Sequence, residues 1–275
     1  MSEPAQAGKT CDLRGIREAV CVHTGKITDS CLAKDCIEDL RVYLTVDSQH
    51  TLDCAASAKA RFVELLFVDV QVECVPYSSG YFTVDVTFYY RVIADATLSA
   101  GRTNTVTGLA VFSKRLVLFG GETCARIFSS KDDLTCLCKK SLQSVSLPRA
   151  IAETVDPIIL GSRVMEACGC CCQSETAPSI PEALLGCFDE PLVLTGECKR
   201  LLVTIGQFSI VRLERDTQLL IPTFDYCVPS KTCPPVGGAS TESPCDVFSQ
   251  IEFPMDAFFP GKNEPCIKPE DSRTK

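Results

Sequence analysis

The sequence predicts a mainly β protein: one or two antiparallel, sandwich-like units with one or two short helices and irregular Cys/Pro-rich termini. Three observations carry this. Period-two runs of apolar and polar residues follow one another between residues 66 and 119, turn residues separate them, and a further set of β-type apolar runs follows residue 190.

In chain order, residues 1–30 are polar and read as an N-terminal arm. A first antiparallel β region spans 31–145. In it, Cys31 to Leu40 reads as a charged turn leading into a short strand, Arg41-Val42-Tyr43-Leu44-Thr45, rich in strand-forming types. Leu66, Val68, Val70, Val72 and Cys74 then alternate with Asp69, Gln71 and Glu73. After the turn Pro76-Tyr77-Ser78-Ser79-Gly80, Val84, Val86, Phe88, Tyr90 and Val92 alternate with Asp85, Thr87, Tyr89 and Arg91. Beyond Gly101-Arg102-Thr103-Asn104 a third run extends from Val106 to Phe119 and ends at Gly120-Gly121. Three such runs joined by turns predict an antiparallel meander.

The stretch 146–181 reads as a connector. Pro148 followed by Arg149-Ala150-Ile151-Ala152-Glu153 predicts a short helix that Pro157 limits, leading into Cys168-Gly169-Cys170-Cys171-Cys172 and a linker over 174–181. A second β region over 182–226 packs on the first, through Pro191–Leu194, Arg200–Ile205, Phe208–Arg212 and Gln218–Pro222. The tail, 227–275, reads as a Cys/Pro-rich strap lying on a sheet, with an aromatic segment over 251–260.

A net charge of −8 without a basic stripe argues against a nucleic-acid partner. No run of about 18 apolar residues suggests a membrane span. Met1 to Thr10 has no apolar h-region, so the expectation is synthesis in a cytosol without a Sec-type leader. That expectation conflicts with nineteen cysteines in 275 residues, because cytosolic thiols are kept reduced. Either the thiols bind metal, or the protein reaches a place that later becomes oxidising. The count is also odd, so at least one thiol is left over for another chain, a ligand or the free state.

Four thiols in five residues at 168–172 sharpen the question. Adjacent cysteines are poorly placed to bond to each other, since a trans dipeptide sets Cα atoms about 3.8 Å apart and a disulfide wants roughly 4.4–6.8 Å. In an extended segment Cys170 and Cys172 face one way and Cys171 the other, so each reaches a different partner.

Enzyme readings find little support. His23 and His50 are the only imidazoles, and no nucleophile elbow, phosphate loop or dinucleotide fingerprint is present. A nucleophilic cysteine of low pKa is the remaining catalytic option. Metal binding is the stronger rival, yet the only Cys-x2-Cys spacing is Cys168 with Cys171. The other near pairs, Cys31-x4-Cys36, Cys136-x-Cys138 and Cys227-x5-Cys233, make no second knuckle. No cofactor is implied. Cysteines spread along the whole chain suit bridges between copies better than one compact cluster. The candidate cross-linking residues are Cys11, Cys21, Cys168, Cys170, Cys171, Cys172, Cys227, Cys233 and Cys266. For strand cysteines such as Cys74, the alternative is a buried free thiol acting as a small hydrophobe.

Two segments carry a family likeness: Asp29-Ser30-Cys31-Leu32-Ala33-Lys34-Asp35-Cys36-Ile37-Glu38-Asp39-Leu40-Arg41-Val42-Tyr43, and Ser243-Pro244-Cys245-Asp246-Val247-Phe248 with Ile251-Glu252-Phe253-Pro254. In these the chain resembles the cysteine-rich, self-assembling exosporium proteins of spore-forming clostridia, the CsxA-like proteins. The resemblance implies a structural protein of the spore surface, in exosporium or coat, that is made in the mother cell and forms a paracrystalline lattice hardened by disulfides. Its partners would be further copies of itself and other spore-envelope proteins. Reduction at synthesis and oxidation after mother-cell lysis would then resolve the compartment conflict. The alternative is a cysteine-cluster metal-binding or redox protein.

Overall fold

The computed structural model describes residues 22–98, 101–121, 147–166, 178–219, 229–233 and 244–258. The strands are β1 (Val22–Leu44), β2 (Ala55–Cys74), β3 (Tyr81–Leu98), β4 (Thr103–Phe119), β5 (Arg149–Thr154), β6 (Ile158–Glu166), β7 (Lys199–Leu219) and β8 (Lys231–Thr232). Four helices accompany them: α1 (Val46–Cys54), α2 (Glu182–Leu185), α3 (Pro244–Gln250) and α4 (Met255–Phe258).

The fold is mainly β and antiparallel, as the alternation predicts. The expected meander is present as β2, β3 and β4, paired from Ala55↔Leu98 to Cys74↔Phe82 and from Tyr81↔Phe119 to Thr97↔Thr103. The strands form one sheet in the order β2-β3-β4-β1-β7-β5, with β6 following β5 along the same edge of β7. Stretches expected as two β regions thus share hydrogen bonds, and the sheet curls into a nearly closed barrel instead of stacking as two layers. Bulges at Ala56, Arg61 and Leu66, evenly spaced along β2, supply curvature. The barrel closes between β2 and β5–β6 without a strand ladder. Ser162 Oγ accepts from Ala60 N at 2.9 Å, and Asp156 Oδ1 accepts from Leu65 N at 3.4 Å.

Three sequence expectations change. The stretch 31–40 is no turn: β1 runs from Val22, inside the expected arm, and pairs with β7 from Val22↔Leu219 to Val42↔Leu201. Its charged residues reflect a bulge at Glu38–Asp39 and a buried Asp35, two features that a composition-based reading takes for a surface turn. Residues 149–154 form strand β5, because so short a run cannot nucleate a helix alone while the edge of β7 offers a ladder. Val155, Asp156 and Pro157 interrupt this edge between β5 and β6, and Gln207 Nε2 donates to Val155 O at 2.8 Å across the gap. The runs 200–205 and 208–212 are one strand, β7, with Gly206 and Gln207 inside it.

The inward faces of the strands make the core. Val84, Val86, Phe88, Tyr90, Val92 and Ala94 of β3 are all fully buried, packed against Val106, Ala110 and Leu118 of β4 and Leu201, Val203 and Ile205 of β7. Each large apolar side chain so buried contributes on the order of 1.5–3 kcal/mol. β1 meets β4 at Val42, Tyr43 and Leu44. Gly108 permits that approach, since a Cβ there would lie 2.5 Å from the Tyr43 carbonyl oxygen. Above this point β1 and β4 diverge, and β8 pairs in parallel with β1 through Cys31↔Lys231 and Leu32↔Thr232.

Candidate cross-linking site

β1 is the strand on which the sulfur chemistry converges. Alternation sends Cys31 to the inner face, where it is fully buried, and Cys36 to the outer face. Cys31 is bonded to Cys233 and Cys36 to Cys245, with Cα separations of 5.8 and 5.6 Å. One C-terminal tail therefore clamps both faces of a single strand.

The tail is further seated on the outer face. Cys233 N donates to Leu32 O at 2.7 Å. Phe248 is buried against Phe208, with ring centroids 4.8 Å apart, and Phe253 meets the same ring at 5.3 Å. Lys34 Nζ donates to Ser249 O at 2.8 Å and Ile251 O at 2.7 Å while lying 4.9 Å from the Phe248 ring centre. Burial lowers the pKa of this lysine below its ordinary value. The bond between Cys36 and Cys245 thus joins β1 to the start of α3, 209 residues apart in sequence.

Of the residues expected to cross-link copies, Cys233 is closed within the chain onto Cys31. That corrects its expected role: β8 pairing brings it beside β1 of its own chain. Cys11, Cys21, Cys168, Cys170, Cys171, Cys172, Cys227 and Cys266 lie outside the described residues.

Four cysteines outside the candidate cross-linking set are exposed and unpaired among the described residues: Cys54, Cys74, Cys187 and Cys198. Cys74 is not a core hydrophobe, because it ends β2 where the strand leaves the barrel. The four divide between the two poles. Cys54 closes α1, and its neighbour Asp53 accepts from Lys199 N at 3.0 Å, which brings Cys198 to the same pole. Glu197 fixes the Cys198 loop: it pairs with Arg41 and, at 2.8 Å, with Arg200, while Arg41 also donates to Leu194 O at 2.9 Å. Cys187 lines a cleft of about 390 Å³ with Thr45, Asp47, Ser48 and Arg91, also at the α1 end. Among the described residues, Cys74 is the one exposed thiol at the opposite pole. There Tyr81 and Phe119 are both exposed and touch edge-on at 5.3 Å, one register step from the Cys74↔Phe82 pair. Strand-end position is the signal that would have found Cys74.

Cys36, Glu38 and Cys245 bring three ligand atoms within 4.8 Å of one another. As a disulfide the pair offers no thiolate, so this group is available to a metal only in reduced protein. His23 and His50 are both exposed, and neither lines the described clefts. Among the described residues no helix is long and apolar enough to cross a membrane.

Comparison with family models, curated proteins and solved structures finds no match to this chain.

Proposed function

We propose that this protein is a structural component of a bacterial spore envelope, in exosporium or coat, that assembles with copies of itself into a disulfide-cross-linked lattice or tube. The observation that carries the reading is the placement of exposed, unpaired thiols at both poles of one barrel, Cys74 at one and Cys54, Cys187 and Cys198 at the other. A bond from one pole to the opposite pole of the next copy is heterologous, and heterologous contacts propagate into open arrays. The exposed Tyr81–Phe119 pair beside Cys74 adds apolar surface suited to such a contact. Closure of Cys31 and Cys36 within the chain supports the oxidising end state that the reading requires.

Purified protein oxidised in air should run as a ladder of covalent multimers on a non-reducing gel and form regular sheets or tubes in negative stain. Monomer bands and isolated particles under those conditions overturn the reading.

The grouping of Cys36, Glu38 and Cys245 favours one second reading, a thiolate metal protein in its reduced state. Elemental analysis of protein purified under reductant tests it, with near-stoichiometric zinc as the supporting result.

A further inference from the structure

Asp35 on β1 and Lys114 on β4 meet inside the barrel, above the point where the two strands stop pairing. Their side chains are 1% and 4% exposed, and Lys114 Nζ lies 2.5 Å from Asp35 Oδ2. Lys114 Nζ also lies 3.1 Å from Ser209 Oγ and 5.5 Å from the centre of the Phe88 ring. As an ion pair the arrangement is poor, because Asp35 Oδ1 has no hydrogen-bond partner and neither does the Tyr90 hydroxyl buried in the same core. A buried carboxylate left half-satisfied costs stability that an apolar pair would not.

We propose that Lys114 and Asp35 condense into an intramolecular isopeptide bond that joins β4 to β1 across the core. Across the 2.5 Å contact one proton passes from Nζ to Oδ2, so that the reacting amine and carboxyl meet uncharged. Desolvation lowers the pKa of Lys114, the direction that frees its lone pair. The Nζ lone pair attacks Asp35 Cγ and forms the N–C bond. The Cγ–Oδ2 bond breaks, and Oδ2, keeping the acid proton, takes one proton from Nζ and leaves as water. Oδ1 remains as the amide oxygen. No oxidant or other reactant enters. Ser209 Oγ orients the amine, and the Tyr90 hydroxyl, also without a hydrogen-bond partner, lies in the same core. Burial raises the pKa of Tyr90, so its hydroxyl keeps its proton. Holding the partners at contact replaces an encounter that in solution would need effective concentrations on the order of 10⁵ M or more. The bond concerns the folded monomer and is independent of whether copies assemble.

The test is the intact mass of the full chain, folded, then fully reduced and denatured. The expected result is a deficit of about 18 Da, one water, against the unmodified chain, with a branched Lys114–Asp35 peptide in the tandem mass spectrum after proteolysis. Lys114→Arg should restore the full mass. Asp35→Asn should form the same bond with loss of ammonia, about 17 Da. A wild-type chain at full mass overturns the proposal, as does a deficit located at other residues. The wild-type mass decides the matter even if the Lys114→Arg chain fails to fold.

Discussion

Phe248 occupies the space that Gly206 leaves by having no side chain: a Cβ at position 206 would lie 2.5 Å from the Phe248 ring. A glycine inside a central strand ordinarily weakens it. Here it makes the socket into which the tail plugs, directly behind the Cys36–Cys245 bond. Gly206→Ala should therefore expel Phe248 and loosen residues 244–258 while leaving the β1–β7 ladder intact. Phe248→Ala, which empties the socket, should cost about 3 kcal/mol. Limited proteolysis reads the first effect as early cleavage in the tail, and denaturant unfolding reads the second. A tail as resistant in Gly206→Ala as in wild type would contradict the socket.

Reduction should release the tail without unfolding the barrel. Cys31–Cys233 closes a loop with a sequence separation of 202, for which the chain-entropy account gives roughly 5 kcal/mol. Once that bond exists, Cys36–Cys245 closes only a small ring and adds about 3 kcal/mol. The barrel core is built from β1, β2, β3, β4 and β7 and contains neither tail helix. Far-ultraviolet circular dichroism should keep its β signature in reductant, with a fall in Tm. Loss of that signature on reduction would show that the sulfur bonds hold the barrel itself.

Pole-to-pole linkage has a mutational signature. Cys74→Ser removes the one exposed thiol described at its pole, whereas Cys54, Cys187 and Cys198 back each other up at the other. On a non-reducing gel Cys74→Ser should shorten the multimer ladder severely, and each single change at the α1 pole should shorten it little. Equal ladders from all four variants would refute the division of labour.

Acid should weaken the barrel through a specific exposed pair. Arg115 grips Asp85 through two hydrogen bonds, at 2.7 and 2.8 Å, and holds that carboxyl below its ordinary pKa. A carboxyl depressed in the folded state stabilises fully above its unfolded pKa, and the contribution disappears as pH falls through the folded value. The pair is largely solvated, so the effect is small and shrinks with salt. Wild type should exceed Asp85→Asn in stability at neutral pH, with the gap closing on acidification below the ordinary carboxylate range. A gap independent of pH would assign the loss to packing instead.

The meander was legible because β2, β3 and β4 alternate over many residues and are bounded by turns whose chemistry shows in sequence, down to the positive φ of Tyr77, Gly80 and Gly101. β1 was not legible because Asp35 and Glu38 look like surface residues, and nothing in the local sequence states that Lys114, seventy-nine residues away, receives Asp35 inside the core. Gly206 read as a break because the residue that needs its space, Phe248, is equally remote. Cys233 was chosen because the cysteines spread along the whole chain, and parallel pairing with β1, which no periodicity reveals, gives it a partner at home.

The closure of the barrel at β2 has a mechanical consequence. Ser162 and Asp156 stitch that closure with side chains, where β2–β3, β3–β4 and β1–β7 are joined by long backbone ladders. A tube slit along its length resists bending nearly as well as an intact one but yields far more readily to torsion. Each subunit in an array of such tubes would act as a torsion spring, letting a stiff sheet wrap a curved body without breaking the links between its tiles.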